Sequence, residues 1–280
     1  MLASAFIGAT TLLAKALGTA PLGPPLSALQ VSHGRFIFAL VFILGVFFWR
    51  RPSLVRPALK LHFGRTVLGW AGVTLMFAAA AFIPLSDATA ISFLNPVFAM
   101  MLAIPLLGEK VGPVRWIAAV IAMLGALILL RPTATSFQPA AFLALSAAIF
   151  LGAELIFIKR LTGGEPPLQI LLINNLLGVL ISTLAVAFVW RAPRLLQWMA
   201  LVSIGGLMAA AQLCFVNAMV RGDASFVSPF LYATLIFALL YDSIIFGVVP
   251  SSVSVLGAVV ILAGAVLLAW REAVRKAPMT

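Results

Sequence analysis

The 280-residue sequence predicts an all-α integral membrane protein, in which ten transmembrane helices form two inverted five-helix repeats. Three observations predict this fold class. Hydrophobic residues make up 64% of the chain, breakers and charges divide the apolar stretches into ten segments, and the first half of the sequence returns in the second. Only 9% of the residues are charged, whereas a soluble domain carries about 25%. Internal repetition in so apolar a chain is typical of secondary transporters.

Four short motifs of the first half return in the second half. The members of each pair lie about 140 residues apart, which is half of the 280-residue length. The repeat therefore covers the whole chain and predicts two domains, residues 1–135 and 136–280, of five helices each. The pairs are Phe6–Ala9 with Phe150–Ala153, Trp49–Leu54 with Trp190–Leu195, Asp87–Thr89 with Asp223–Ser225, and Gly125–Ala126 with Gly264–Ala265.

Each of the ten apolar segments has about 17–23 residues. A helix of that length, rising about 1.5 Å per residue, crosses the ~30 Å hydrocarbon layer of a membrane. Backbone groups find no water partner in lipid, so the segments are predicted to be helices rather than open strands. The predicted spans are residues 2–18, 27–49, 65–84, 87–107, 113–130, 138–160, 167–189, 198–219, 224–246 and 252–270.

Lys and Arg residues predict which ends of the segments face the cytoplasm. If the N-terminus is cytoplasmic, Arg35 lies inside the second segment and most of the 18 basic residues fall in the inside loops and tail, Arg65 among them. The positive-inside rule then predicts a multi-pass protein of a bacterial-type inner (plasma) membrane with both termini cytoplasmic. Because each half has an odd number of helices, the second half enters the membrane inverted. The outer basic residues are Lys15, Arg131, Arg191 and Arg194.

Composition and motifs exclude several function classes. A net charge of +11 would suggest nucleic-acid binding in a soluble protein, but here the basic residues flank apolar segments and act as orientation signals. The sequence contains no metal-ligand cluster, no His-Glu-x-x-His and no phosphate-binding loop, so we expect no enzyme activity and no cofactor. The expected partners are the lipid bilayer and a small-molecule substrate. Since two halves already form one cavity, a monomer suffices.

Three sets of motifs resemble the EamA branch of the drug/metabolite transporter superfamily, and the resemblance extends over both halves and all ten segments. One departure is Val248, which stands where the first copy has the acid Glu109; the acid in that helix is Asp242 instead. The sets are Asp87–Ala90 with Asn95-Pro96 and Leu106–Lys110, Asp223–Ser225 with Ser228–Tyr232 and Ile245–Pro250, and Leu256–Ala258 with Ala263–Ala265.

The resemblance implies a substrate cavity between the halves, lined by the first, third, fourth, sixth, eighth and ninth helices. Family members include YddG-type amino-acid exporters, uptake carriers for metabolites and drug pumps. We expect export of neutral amino acids, aromatic or aliphatic, by alternating access. A mostly apolar cavity argues against strongly anionic solutes. The alternatives are a proton-coupled multidrug efflux pump and a lipid-carrier flippase with a headgroup site at Arg35 and Lys15.

Polar and large apolar side chains on the cavity helices of the family are the candidate substrate contacts. Methionine suits an adaptable wall because its side chain is flexible and polarisable. For each apolar candidate, ordinary packing is the alternative role. The candidates are Met76, Phe77, Asn95, Phe98, Met101, Glu154, Phe157, Gln212, Phe215 and Tyr232.

Charged side chains inside the apolar segments are candidates for gating or coupling, because a charge at mid-membrane costs about 2.5–3.5 kcal/mol. Glu154 has no partner on its own helix face, so it points into the cavity, pairs across helices or reaches the headgroups near Lys159. Asp242 lies at the same end as Lys15, which is also a gating or coupling candidate, and for Asp242 a structural ion pair is favoured over a gating or proton-coupling role. Arg35 is expected to snorkel to the headgroups.

Two prolines and two aspartates are predicted to lie within or at the start of the fourth and ninth helices. Pro96 and Pro229 each remove a backbone hydrogen bond and kink their helix, and we expect these kinks to act as hinges for alternating access. Asp87 and Asp223 open the same two helices, where an acid caps free N–H groups and offsets the positive helix end.

Overall fold

The computed structural model describes residues 2–107, 112–130, 139–221, 233–247 and 250–276. Every regular element within these ranges is helical, which confirms the predicted all-α class for this part of the chain. A short 3-10 turn, Ala20–Leu22, follows the first helix. The helices are α1 (Leu2–Gly18), α2 (Ala28–Arg50), α3 (Leu59–Phe82), α4 (Leu85–Ser92), α5 (Asn95–Leu107), α6 (Pro113–Leu130), α7 (Ala141–Leu161), α8 (Pro167–Val186), α9 (Leu195–Arg221), α10 (Ala233–Phe246) and α11 (Ser252–Lys276).

By length and composition, six of the helical stretches are able to cross a membrane. Four shorter apolar helices accompany them: Leu2–Gly18, Trp116–Gly125, Thr234–Phe246 and Ser252–Gly264. Large apolar side chains such as Leu184, Phe188 and Ile244 are exposed on the outside of the bundle, as expected for a surface that faces lipid. The six are Ala28–Arg50, Leu59–Phe82, Asp87–Leu106, Ala141–Leu161, Pro167–Val186 and Leu195–Phe215.

The predicted segment 87–107 is broken into two helices, α4 and α5. At the break, the N–H of Phe93 donates to the C=O of Ala90 at 3.1 Å, which is the tighter pattern of a 3-10 turn. Pro96 follows the break and has no N–H to donate to the preceding turn. The chain therefore departs from a straight helix next to one predicted hinge. Pro229 lies outside the described residues, and the hinge motion stays a prediction.

The third helix begins earlier than predicted, at Leu59 rather than at residue 65. The prediction that Arg65 belongs to an inner loop is wrong, because Arg65 and His62 are both buried within α3. Their burial is possible because acidic partners are supplied by the second half of the chain, Glu154 for Arg65 and Glu165 for His62.

Glycines of the repeated Phe6–Ala9 motif let equivalent helices approach each other closely. A Cβ atom at Gly8 would lie 3.2 Å from Phe237 Cβ on α10. A Cβ atom at Gly152 would lie 2.9 Å from Phe98 Cβ on α5. Helix α1 of the first half thus packs on α10 of the second half, and its counterpart α7 packs on α5 of the first half.

A second pair of repeated glycines lies where α6 meets α11. A Cβ atom at Gly125 would lie 2.6 Å from the backbone N of Ile261, and one at Gly264 would lie 2.6 Å from the backbone N of Ala122. Ala122 and Ile261 occupy the same position relative to their own glycine, so the contact is reciprocal. Reciprocal contacts of this kind are what a two-fold relation between two units produces.

The remaining packing brings the buried charges together. α3 packs along α7, and α2 packs against both α8 and α9. An apolar cluster that includes Leu17, Phe77, Leu201 and Ile204 joins α1, α2, α3 and α9.

Candidate functional site

The carboxylate of Glu154 pairs across helices with the guanidinium of Arg65. Arg65 Nε on α3 lies 3.4 Å from Glu154 Oε1 on α7, and the two side chains are 6% and 15% exposed. Gly69 provides the space for this pair, since a Cβ atom there would lie 2.8 Å from the carboxylate carbon. Of the interpretations left open for Glu154, pairing across helices is the one observed. The headgroup interpretation is wrong, because the carboxylate is enclosed against the middle of α3.

Arg35 is buried inside the bundle, with only 5% of its surface exposed. The prediction that it snorkels to the headgroups is therefore wrong. Its Cζ atom lies 4.5 Å from the ring centroid of Phe36, and its charge interacts with both Glu154 and Arg65. The Phe36 ring occupies a notch on α8 where Gly178 has no side chain. Helix α8 thereby fixes the surface on which the guanidinium rests.

Several buried polar atoms on α2, α3 and α9 have no hydrogen-bond partner among the described residues. Burying an unpaired polar group costs about 2–7 kcal/mol, so proteins leave few of them. Such atoms mark positions where water or a solute is expected to supply the partner. They include Nε and Nη1 of Arg35, Nε of Arg65, Nε1 of Trp70, Oγ1 of Thr74 and Oε1 of the predicted cavity residue Gln212.

Asp242 connects three helices at one end of the bundle, which we call the Asp242 end. Lys15 Nζ on α1 donates to its Oδ1, and the N–H of Leu85 at the start of α4 donates to its Oδ2 at 2.7 Å. Lys15 also lies 4.5 Å above the ring centroid of Phe246. The ion pair favoured for Asp242 is thus present, whereas the gating role of Lys15 and Asp242 stays a prediction.

Asp87 lies in the first turn of α4, where the sequence predicts it. Its Oδ2 accepts a hydrogen bond from Ser254 Oγ of α11 at 3.1 Å. Because Asp242 binds the N–H of Leu85, part of the capping of α4 comes from another helix. The counterpart Asp223 lies outside the described residues.

Glu165 is the centre of a hydrogen-bond network at the opposite end of α3, which we call the Glu165 end. Its Oε1 accepts the N–H of Ala58 at 2.8 Å, and its Oε2 lies 2.7 Å from His62 Nε2. Gln169 Nε2 donates to the same Oε2 at 2.8 Å and to the C=O of Val55 at 3.0 Å. The network joins the α2–α3 connection to the start of α8.

Glu165 lies between α7 and α8, outside the apolar spans. Burial raises the pKa of its carboxyl group, but the hydrogen bonds from Ala58, His62 and Gln169 favour the ionised form more strongly and lower the pKa below its ordinary value. Glu165 therefore contributes a fixed negative charge to the contacts between the two halves of the chain.

Further contacts join the two halves at the Asp242 end. Gln30 Nε2 donates to the C=O of Arg191 at 2.6 Å, and Gln197 Nε2 donates to the C=O of Pro24 at 2.8 Å. Both ends of the bundle are thus closed by polar contacts between residues of the first half and residues of the second.

Four predicted cavity residues are packed against neighbouring helices. Met76 and Phe77 belong to buried apolar clusters. Phe98 and Phe157 each lie against a glycine on the facing helix. Packing, the alternative stated for apolar candidates, accounts for these positions as they stand, and their substrate contacts stay predictions.

The other predicted cavity residues differ in exposure. Asn95 and Phe215 are half-buried, Met101 is 40% exposed, and Tyr232 lies outside the described residues. An apolar groove of about 750 Å³ between α1, α2 and α9 contains none of the candidates. Its lining includes Leu13, Phe42, Gly206 and Leu213.

The roles of Arg35, Arg65 and Glu165 as buried or hydrogen-bonded charges were not predicted from the sequence. A signal existed for Arg35, since an arginine inside an apolar segment is expensive and usually functional. Arg65 and Glu165 lie near segment ends, where charges are common, so no local pattern distinguished them. Within the described ranges, no group of three or more His, Cys, Asp and Glu side chains could hold a metal ion.

A bundle of apolar helices whose interior contains ion pairs between its two halves defines a multi-pass membrane protein of the transporter class. The profile of the EamA-like transporter family matches residues 1–131 and 138–270. The chain belongs to this family and is a membrane transporter of small molecules rather than an enzyme.

Three curated relatives match most of the length of this chain. A riboflavin transporter of Vibrio cholerae is 31% identical over 79% of this chain and 75% of its own. An S-adenosylmethionine uptake transporter of Rickettsia bellii is 26% identical over 90% of this chain and 87% of its own. The pseudopaline exporter CntI of Pseudomonas aeruginosa is 24% identical over 77% of each chain. A protein crystal structure matches 99% of both chains with a TM-score of 0.66 at 20% identity, and therefore shows the fold alone.

Proposed function

We propose that the chain is a secondary transporter that moves a small metabolite by alternating access between two inverted five-helix repeats, residues 1–135 and 136–280. The reciprocal contacts of Gly125 and Gly264 support the inverted arrangement, as does the matching packing of Gly8 and Gly152. The observation that carries the proposal is the buried pair of Arg65 and Glu154, because ionised groups at membrane depth are typical of transport pathways.

Both termini and the Glu165 end are proposed to face the cytoplasm of a bacterial-type inner membrane. Exposed basic residues are concentrated at that end, among them Arg50, Arg51, Arg56 and Lys60, as the positive-inside rule requires. With an odd number of helices in each half, this orientation gives a ten-helix chain whose second half is inverted. Because one chain contains both halves, we propose that it works as a monomer.

Opening the cavity to either side requires contacts between the halves to break. At the Asp242 end these are the ion pair to Lys15 and the bond to Leu85. At the Glu165 end they are the bonds to Ala58 and His62. We propose that one set opens while the other holds, so that the solute never meets an open pore. The bend before Pro96 is a hinge candidate in this motion.

Amino-acid export is proposed as one candidate activity, beside transport of the compounds that the relatives carry: riboflavin, S-adenosylmethionine and pseudopaline. A site with charges of both signs, from Arg35 and Glu154, suits a zwitterionic solute. The alternative function is a proton-coupled multidrug efflux pump, in which Glu154 or Asp242 is the coupling acid.

The test is flux into liposomes that contain the purified protein. The panel is riboflavin, S-adenosylmethionine, phenylalanine, leucine, threonine, methionine and a cationic dye, each with and without an imposed proton gradient. We expect saturable flux of at least one metabolite, competed by its unlabelled form and absent from empty liposomes. Dye movement that occurs only with the proton gradient would indicate that the protein is a drug pump rather than a metabolite carrier. Absence of saturable flux from correctly folded protein would contradict transport.

Lipid-carrier translocation is favoured by one observation, the apolar groove between α1, α2 and α9. A groove of about 750 Å³ lined by Leu13 and Phe42 accommodates part of a hydrocarbon chain. Flipping of a fluorescently labelled lipid in the same liposomes tests this function. Flipping without metabolite flux would make the flippase the preferred assignment.

A further inference from the structure

Among the described residues, the buried charges around Glu154 do not balance. Arg35 and Arg65 each contribute a positive charge, and Glu154 contributes the negative charge that interacts with both. Both arginines are 5% exposed, so solvent does little to screen them. The cluster therefore holds an excess of one positive charge, which is expensive to keep in a membrane protein interior without a partner.

Arg35 has more unpartnered hydrogen-bond donors than Arg65, two nitrogen atoms against one. Arg65 already has Glu154 at 3.4 Å and the C=O of Ile170 at 3.2 Å. By contrast, Nε and Nη1 of Arg35 have no partner among the described residues. The contact with the Phe36 ring offsets part of the cost of burying the guanidinium, but it occupies none of the N–H donors.

The other carboxylates whose side chains the structure describes are already engaged, Asp87 with Ser254 and the remaining two at the bundle ends. Asp242 binds Lys15 and Leu85 at one end. Glu165 binds Ala58 and His62 at the other. The partner of Arg35 is therefore expected to be an anionic group that enters from outside the described part of the chain.

We propose that Arg35 binds a carboxylate group of the transported solute, while Phe36, seated against Gly178, holds the guanidinium in position. This inference rests on the proposed transporter function. The planar guanidinium fork matches the two oxygens of a carboxylate and binds them in a bidentate manner. One carboxylate neutralises the excess charge, whereas a doubly charged phosphate monoester would leave a buried negative charge. The sequence-based argument against strongly anionic solutes thus extends only to solutes with several negative charges.

Binding is measured as the rise in unfolding temperature of the detergent-solubilised protein, because a ligand of the folded state stabilises it by mass action. The probes are pairs that differ only at the carboxylate: phenylalanine and phenylalaninamide, methionine and methioninamide, S-adenosylmethionine and its decarboxylated form, and benzoate and benzamide. In at least one pair, we expect the acid to bind at least about tenfold more tightly than its partner, with Arg35→Gln removing the difference.

Two further variants make the result specific. Arg35→Lys keeps the charge but loses the fork, so we expect it to retain part of the preference, and it replaces Arg35→Gln if that variant does not fold. Arg50→Gln removes an exposed arginine from the same helix and should leave the preference intact. Equal stabilisation by both members of every pair, or a preference that survives Arg35→Gln, overturns the proposal.

Flux of the same probes, and of riboflavin, into liposomes separates this inference from the proposed function. Stabilisation by acids without flux of any probe would support the carboxylate site and contradict transport. Flux of riboflavin, which has no anionic group, with no acid preference in any pair would support transport and overturn the carboxylate site.

Discussion

A buried ion pair between Lys15 and Asp242 joins α1 to α10, across a sequence separation of 227 residues. The same carboxylate binds the N–H of Leu85 and so holds the start of α4 in the same place. One acid therefore fixes the position of three helices from both halves. At the other end of the bundle, Glu165 makes the corresponding connection to His62 across 103 residues. In the proposed mechanism, a solute path between the halves has to pass one of these two closures.

Replacing Asp242 with Asn should destabilise the protein strongly. Asn keeps an acceptor for the N–H of Leu85 but leaves the Lys15 ammonium buried without its counter-charge, and removing one partner of a buried pair costs about 3–5 kcal/mol. The measurement is a double-mutant cycle with Lys15→Met, monitored by thermal unfolding in detergent. We expect the double variant to be more stable than Asp242→Asn alone. A loss in the double variant that equals the sum of the two single losses would show that the charge pair contributes nothing.

Replacing Gly69 with Ala should displace Glu154 from Arg65. The added Cβ atom would lie 2.8 Å from the carboxylate carbon, so the side chain has to move or the helices have to separate, at about 1–3 kcal/mol. Combining Gly69→Ala with Glu154→Ala should recover part of this loss by removing the obstructed group. Gly45→Ala on α2 is the control, since its Cβ atom would meet nothing within 4 Å. A neutral Gly69→Ala variant would contradict the observed packing.

Alanine at Gly125 and alanine at Gly264 should have similar effects. In each variant the new Cβ atom would lie 2.6 Å from a backbone nitrogen of the facing helix, and a backbone atom cannot yield as a side chain can. The separation of α6 from α11 should outweigh the gain of about 0.5–1 kcal/mol from a better helix former. Unfolding temperatures of both variants, compared with Gly45→Ala, provide the measurement. A large loss at one position with none at the other would argue against a reciprocal contact.

The sequence predicts the apolar helices well, because continuous hydrophobic runs in a chain with few charges leave little alternative. It fails at Arg65, since a charge near a segment end looks like a loop charge until its partner is known. That partner, Glu154, lies in the other half of the chain, and no local spacing reveals it. Arg35 is different, because its place inside an apolar run was visible. Its burial was mispredicted because α2 is not among the helices expected to line the cavity, and only the packing of α2 against α8 and α9 shows that the side chain is enclosed.

The stability supplied by Glu165 should disappear in acid. Because the pKa of this carboxyl is lower in the folded protein than its ordinary value of 4.5, its contribution is fully present above about pH 4.5. It is lost as the pH falls below that value towards the folded pKa. Unfolding temperatures of the protein and of Glu165→Gln, measured between about pH 3 and pH 7, should therefore differ most near neutrality and converge in acid. Thr162→Ala, a change in the same connection that does not titrate, should shift the temperature equally at every pH. A difference between the protein and Glu165→Gln that stays constant or grows in acid would mean that the Ala58, His62 and Gln169 bonds do not favour the ionised carboxylate.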